Sequence, residues 1–139
     1  MFIIIQDYTS IGGGAFSGKW QITSVIILNS VTTIGDGAFY DCRYMANIIL
    51  PEFITSIGGY MFYSTYSLIN LTLPKSVTSI GGNAFFGSAI TNINLENITS
   101  YGGAALRSCQ SLKTVTLSEN ITTIHVDAFR ECSGLTSIV

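Results

Sequence analysis

Short apolar triplets with two-residue alternation recur along the chain: Val25-Ile-Ile27, Ile48-Ile-Leu50, Leu71-Thr-Leu73, Ile93-Asn-Leu95 and Val115-Thr-Leu117. Alternation of this kind, rich in β-branched residues, predicts strands. Each triplet alternates with a second block. It is first seen as Tyr8-Thr-Ser-Ile11-Gly-Gly-Gly-Ala15-Phe16 and next as Val31-Thr-Thr-Ile34-Gly-Asp-Gly-Ala38-Phe39. Four further copies centre on Ile57, Ile80, Tyr101 and Ile124, so the steps from Ile11 are 23, 23, 23, 21 and 23 residues. A fixed period of this size implies one supersecondary unit per repeat, too small to bury its own apolar face. Six such units must stack. Their strands then pair in parallel ~4.8 Å apart, giving a slab roughly 30 Å long.

Equivalent positions form columns along the stack. Phe16, Phe39, Phe62, Phe85, Leu106 and Phe129 read as a buried spine, with Ala15, Ala38, Ala84, Ala105 and Ala128 beside it where space is short and Met61 as the exception. Gly12, Gly35, Gly58, Gly81 and Gly102 fit a turn that needs positive φ or close backbone approach. No phosphate-loop spacing accompanies them. A threonine column (Thr9, Thr32, Thr55, Thr78, Thr99, Thr122) could present a flat hydroxyl surface, but strand propensity and local hydrogen bonding explain it more simply. The path from Phe85 to Ile93 and that from Leu95 to Ile98 are each one residue short, which predicts an irregular fourth repeat with a tighter turn near Ser88–Ala89.

With Leu68 and Leu112 placed before their triplets, two repeats spell Leu-x-x-Leu-x-Leu, and Leu68 through Phe85 continue as Pro-x-x-Val-x-x-Ile-Gly-x-x-Ala-Phe. This pattern covers essentially the whole chain and resembles the BspA-like leucine-rich repeats. The expected fold is mostly β (an α/β-class repeat solenoid): a short, curved, right-handed parallel-strand solenoid with few or no regular helices, one domain over residues 1–139. The resemblance implies cell-surface or secreted location, adhesion and binding of host proteins. The opening Met1-Phe2-Ile3-Ile4-Ile5 lacks a basic n-region and is too short for a signal segment, and no run spans a membrane. The chain therefore reads either as an intracellular protein or as a piece of a longer secreted or anchored one.

Composition narrows the function. Hydrophobic residues make up 47% and charged residues 10%, with net charge −2, so no basic footprint for nucleic acid exists. Cys42, Cys109 and Cys132 share one column and read as buried free thiols, although Cys109 and Cys132 occupy neighbouring repeats where a bridge is conceivable. The lone His125 replaces a turn glycine and has no carboxylate, serine or cysteine at a useful spacing, and Asp127 and Glu131 nearby read as a solvated face. No catalytic, cofactor or metal residues are expected. Acceptor patterns for N-glycosylation at Asn70, Asn97 and Asn120 are few enough to arise by chance.

A binding module is the reading that remains, with self-assembly as the alternative. Leu71 and Leu73 inward puts Asn70 and Thr72 outward. The same register gives one outward column of Ile3, Ile26, Ile49, Thr72, Asn94 and Thr116, and another of Ser24, Asn47, Asn70, Asn92 and Thr114. The three isoleucines form an apolar stripe of the sort that marks interaction sites; Asn47, Asn70 and Asn92 are placed for an amide ladder. The strand Phe2-Ile3-Ile4 and the closing Leu135-Thr-Ser-Ile138-Val139 carry no polar caps. Self-association into a homodimer or larger assembly is therefore expected, through Phe2, Ile4 and Ile138 at a terminal edge or through the isoleucine face.

Overall fold

A computed structural model describes residues 1–139 as a six-turn β-solenoid without helices. Each turn has two strand-bearing stretches and one wall of tight turns. The longer strands are β1 (Phe2–Ile5), β3 (Ser24–Ile27), β5 (Asn47–Ile49), β8 (Asn92–Leu95) and β10 (Thr114–Leu117). The two-residue strands are β2 (Ser10–Ile11), β4 (Thr33–Ile34), β6 (Ser56–Ile57), β7 (Ser79–Ile80), β9 (Ser100–Tyr101) and β11 (Ser137–Ile138). Every pairing is parallel: β1-β3-β5 and β8-β10-β11 form one wall, β2-β4 and β6-β7-β9 the other.

The spine forms as the columns require. Phe39, Phe62 and Phe85 are fully buried, and the rings from Phe16 to Phe85 stack nearly parallel at centroid distances of 5.4, 6.0 and 5.5 Å. Phe16 and Phe129 are half-buried. Each cysteine sulfur donates to the carbonyl of the preceding repeat's spine residue: Cys42 to Phe16 (3.2 Å), Cys109 to Phe85 (3.0 Å) and Cys132 to Leu106 (3.0 Å). All three thiols are free. Burial pushes the Cys42 thiol up to about 11 and the Cys109 thiol up to about 12.

The turn wall is held by backbone bonds that cross every seam between repeats. In the first repeat the N–H groups of Gly14, Phe16 and Gly18 donate to the carbonyls of Asp36, Ala38 and Tyr40, while those of Ala15, Ser17 and Lys19 close turns within the repeat. The same three inter-repeat bonds recur down the stack to Ala104–Val126, Leu106–Ala128 and Ser108–Arg130. Two left-handed residues per turn, such as Asp41 (φ 58°) and Tyr60 (φ 57°), alternate the direction of successive N–H groups.

Positive φ does not fall on the Gly12 column, as the sequence allowed, but two residues later. Those glycines serve close approach instead: a Cβ on Gly35, Gly81 or Gly102 would lie 2.3, 2.3 or 2.4 Å from a backbone nitrogen of the previous repeat. Where the pair carries side chains, the second wall opens. Asp36 stands between β4 and β6, and its carboxylate accepts from the Gly59 N–H (3.0 Å). His125 and Val126 leave Thr123–Ile124 outside any strand, with Val126 78% exposed.

Four of the five predicted triplets are strands. Leu71–Leu73, the best match to the repeat pattern, is not; its turn touches the sheet only through an isolated Asn47–Asn70 bridge. Apart from that bridge, the backbone of residues 71–73 makes no hydrogen bond to a neighbouring turn. Two causes are visible. Leu28 N–H closes the first seam onto Ile5 O (3.0 Å), but Pro51 and Pro74, its counterparts, have no N–H to give. In addition, the repeat that follows is a residue short. Ile22, Met45, Leu68 and Leu112 each close a three-residue turn by donating to Lys19, Cys42, Thr65 and Cys109, and Ile90 makes no such bond. The irregularity thus lies at Ser88–Ala89 as expected, but as a lost turn and not the tighter one expected, and its effect on the sheet appears in the strand before it.

Candidate functional site

The exposed face of the first wall carries the predicted columns with one shift. The register pairs Ile4 with Ile26 and Ile26 with Ile49, so the stripe is Ile4, Ile26 and Ile49. Ile3 pairs with Val25 and packs against the core, not outward. The error came from counting the first repeat one residue early, and a one-residue slip exchanges the two faces of a strand. Ile49 is 59% exposed and Ile26 half-buried between its neighbours. Phe2 takes the head of the second column, opposite Ser24. Ile138 pairs with Val115 and so belongs to the inward column, although it is exposed.

The amide ladder does not form. Asn47 and Asn70 have no side-chain partner, whereas Asn92 donates to Thr91 Oγ1 (3.3 Å) and accepts from Thr114 Oγ1. Asn94 Oδ1 accepts from Glu96 N–H (2.9 Å), closing the turn after β8. The interrupted third strand thereby divides the face. A cleft of about 580 Å³ lies between it and β5, lined by Asn47, Ile49, Asn70 and Thr72. A second, of about 410 Å³, lies between it and β8, lined by Thr72, Asn92, Asn94 and Thr116. The first cleft presents the unused amides of Asn47 and Asn70, and both present, along residues 71–73, backbone donors and acceptors left free beyond the Asn47–Asn70 bridge.

The remaining candidates stay structural. Thr32 and Thr99 hydroxyls donate to the carbonyls of Thr9 and Thr78 (3.4 and 3.2 Å), the local bonding that explains their column. His125 is exposed, edge-on to Tyr101 at 5.2 Å. Ser108 donates to Glu131 (2.6 Å) and, with Arg107 and Arg130, holds its carboxyl below the ordinary range. No three His, Cys, Asp or Glu side chains are gathered as a metal would require.

Sequence reasoning missed the aromatic side of the turn wall. Tyr40, Tyr63 and Phe86 stack at 5.0 and 4.5 Å, and the Arg107 guanidinium covers Phe86 at 5.5 Å. Trp20, Tyr44 and Tyr66 stand exposed nearby. Their signal lay one, four and five residues after the spine position, where the columns are aromatic only in the first four repeats.

The model of the BspA-type leucine-rich repeat region matches six copies over residues 9–138. The chain belongs to the BspA-type leucine-rich-repeat family. Among solved structures it is similar to a leucine-rich repeat protein from Bacteroides ovatus, with 32% identity, TM-score 0.97, and coverage of 99% of this chain and 39% of that one. It is also similar to the T. pallidum leucine-rich repeat protein, with 25% identity, TM-score 0.93 and coverage of 99% and 68%. A leucine-rich cell surface protein from Faecalibacterium prausnitzii matches at 26% identity and TM-score 0.62 over 85% of this chain and 48% of that one. The chain thus spans less than half of two of these relatives. No functionally curated protein matches it. No helix is long and apolar enough to cross a membrane.

Proposed function

We propose that this repeat unit is a non-catalytic protein-binding module, acting at a cell surface in adhesion, and that its partner lies across the divided sheet face. The observation that carries the reading is the run 70–73. Its backbone meets the neighbouring turns at the Asn47–Asn70 bridge alone, in the middle of a sheet that is otherwise laddered, beside the apolar Ile49 and the free amides of Asn47 and Asn70. An extended partner segment can satisfy such groups by main-chain bonding while its side chains enter the flanking clefts. Selection of random peptides on the immobilised chain tests this. Peptides retained by the wild type should be lost on Ile49→Arg and on Thr72→Arg; peptides indifferent to both changes would defeat the proposal.

Self-assembly is the second reading, favoured by the exposed stripe of Ile4, Ile26 and Ile49 beside Phe2. Light scattering decides it. A homodimer or larger species that dissociates on Ile49→Asp supports it, and a monomer at all concentrations removes it.

A further inference from the structure

At the outer corner of the first two repeats, Trp20 and Tyr44 are 55% and 60% exposed, their ring centroids 6.4 Å apart and their planes at 78°. Below them Asp41 and Arg43 form a two-point ion pair, Nε to Oδ1 at 2.8 Å and Nη2 to Oδ2 at 3.2 Å. The four side chains line one shallow depression. The pairing fixes both planar groups while leaving Arg43 Nη1, Trp20 Nε1 and the Tyr44 hydroxyl without protein partners. The site therefore offers two apolar platforms, several fixed donors and a carboxylate with spare lone pairs, all within one small concavity.

We propose that this corner binds a neutral saccharide. The C–H face of a pyranose is apolar and slightly positive, which suits the negative face of an aromatic ring, and its equatorial hydroxyls both donate and accept. Charge argues against ionic ligands. Arg43 already neutralises Asp41, so a cation meets a guanidinium and an anion meets a carboxylate. Geometry argues against a proline-rich chain, which docks along grooves between aromatic ridges. Rings at 78° form a corner that cups one compact ring. The surface lies on the turn wall, apart from the divided sheet face, and is independent of the protein-binding reading.

Trp20 is the only tryptophan, so its emission reports the site directly. Titration of the whole chain with chitotriose, cellotetraose and maltotriose should give, for at least one, a saturable emission change with Kd on the order of 1 mM or below. By calorimetry, Trp20→Ala and Arg43→Ala should each weaken that binding by about tenfold or more. Because both side chains are exposed, circular dichroism and melting should be unchanged, and Ile49→Arg should leave saccharide binding intact. No response from any of the three sugars, or binding that survives Trp20→Ala, overturns the proposal. Capture of a proline-rich peptide with no sugar bound would overturn it as well.

Discussion

The turn wall and the first strand wall face the same problem, joining six unequal repeats, and solve it differently. On the turn wall three backbone bonds cross every seam, and the spine stacks behind them without a gap. On the strand wall the ladder runs for three repeats, fails at residues 71–73, and resumes at β8. The turn segment keeps constant spacing from glycine to spine in every copy, whereas the insertions, deletions and prolines all fall between spine and strand or just beyond. Stacking is therefore guaranteed by the tightest part of the repeat. The strands, usually taken as the scaffold, are left free to vary, and the candidate binding clefts arise where they do.

The largest test of this division compares deletions on the two sides. Phe62→Ala removes a fully buried ring from mid-spine and should cost about 3–5 kcal/mol in denaturant unfolding. Leu73→Ala, half-buried beside the unpaired strand, should cost less than half as much, because its surroundings can relax. Equal losses would mean that the third repeat is as tightly built as the spine. Next in size is Gly81→Ala, whose Cβ would fall 2.3 Å from Gly59 N; about 1–3 kcal/mol should be lost. Gly12→Ala meets nothing within 4 Å and should be within ~0.5 kcal/mol of wild type. His125 already shows the outcome in nature's own sequence, since the second wall opens where it replaces that glycine.

How far the fold was legible follows the same division. The spine, the free thiols and the irregular spacing at Ser88–Ala89 were readable because each is a property of one repeat read down a column. The failure of Leu71–Leu73 was not, although this segment matches the repeat pattern best. Strand pairing is a property of neighbours: Pro74 just beyond the triplet cannot close the seam onto Leu50 O, and the missing residue in the repeat after displaces the other partner, while Leu71–Leu73 themselves remain ideal strand formers. Ile3 was misplaced because β1 pairs with β3 at an offset of 22 residues (Ile4 with Ile26), one fewer than the 23 that separates Ile26 from Ile49. The Trp20–Tyr44 corner escaped because it joins unlike positions of two repeats, +4 and +5 from the spine, and column reading compares only like positions.

A smaller effect probes the spine's chemistry. With the Cys109 thiol raised to about 12 from an ordinary 9.0, folded and unfolded chains both hold the proton below pH ~9. Above it the unfolded chain loses the proton and the folded chain keeps it, so this contribution to stability declines as pH rises from about 9 towards about 12. Roughly 1 kcal/mol should be gone by pH 10. Urea midpoints measured from pH 8 to 10 should fall more steeply for wild type than for Cys109→Ala. Parallel lines would show that the thiol is open to solvent. At pH 8 a thiol reagent should reach the buried Cys42 and Cys109 only after unfolding, when all three groups react.

The smallest expected effect bears most directly on function. If Pro74 helps keep the third strand open by denying Leu50 O a donor, as Leu28 supplies one to Ile5, then Pro74→Ala restores that donor. One neutral hydrogen bond contributes about 0.5–1.5 kcal/mol. Removal of proline loosens the unfolded chain by a comparable ~0.4–1 kcal/mol, so net stability should hardly move. The sheet should move nonetheless. Amides of Leu71–Leu73, exchanging freely in the wild type, should gain protection, and peptides selected on the divided face should bind less tightly as the cleft beside β5 narrows. Protection gained without loss of peptide binding would separate the unpaired backbone from recognition and leave the Ile49 stripe and the asparagine side chains to account for it. No change in either would place the cause of the break in the shortened fourth repeat. Inserting one residue after Ser88 should then close the sheet where Pro74→Ala did not.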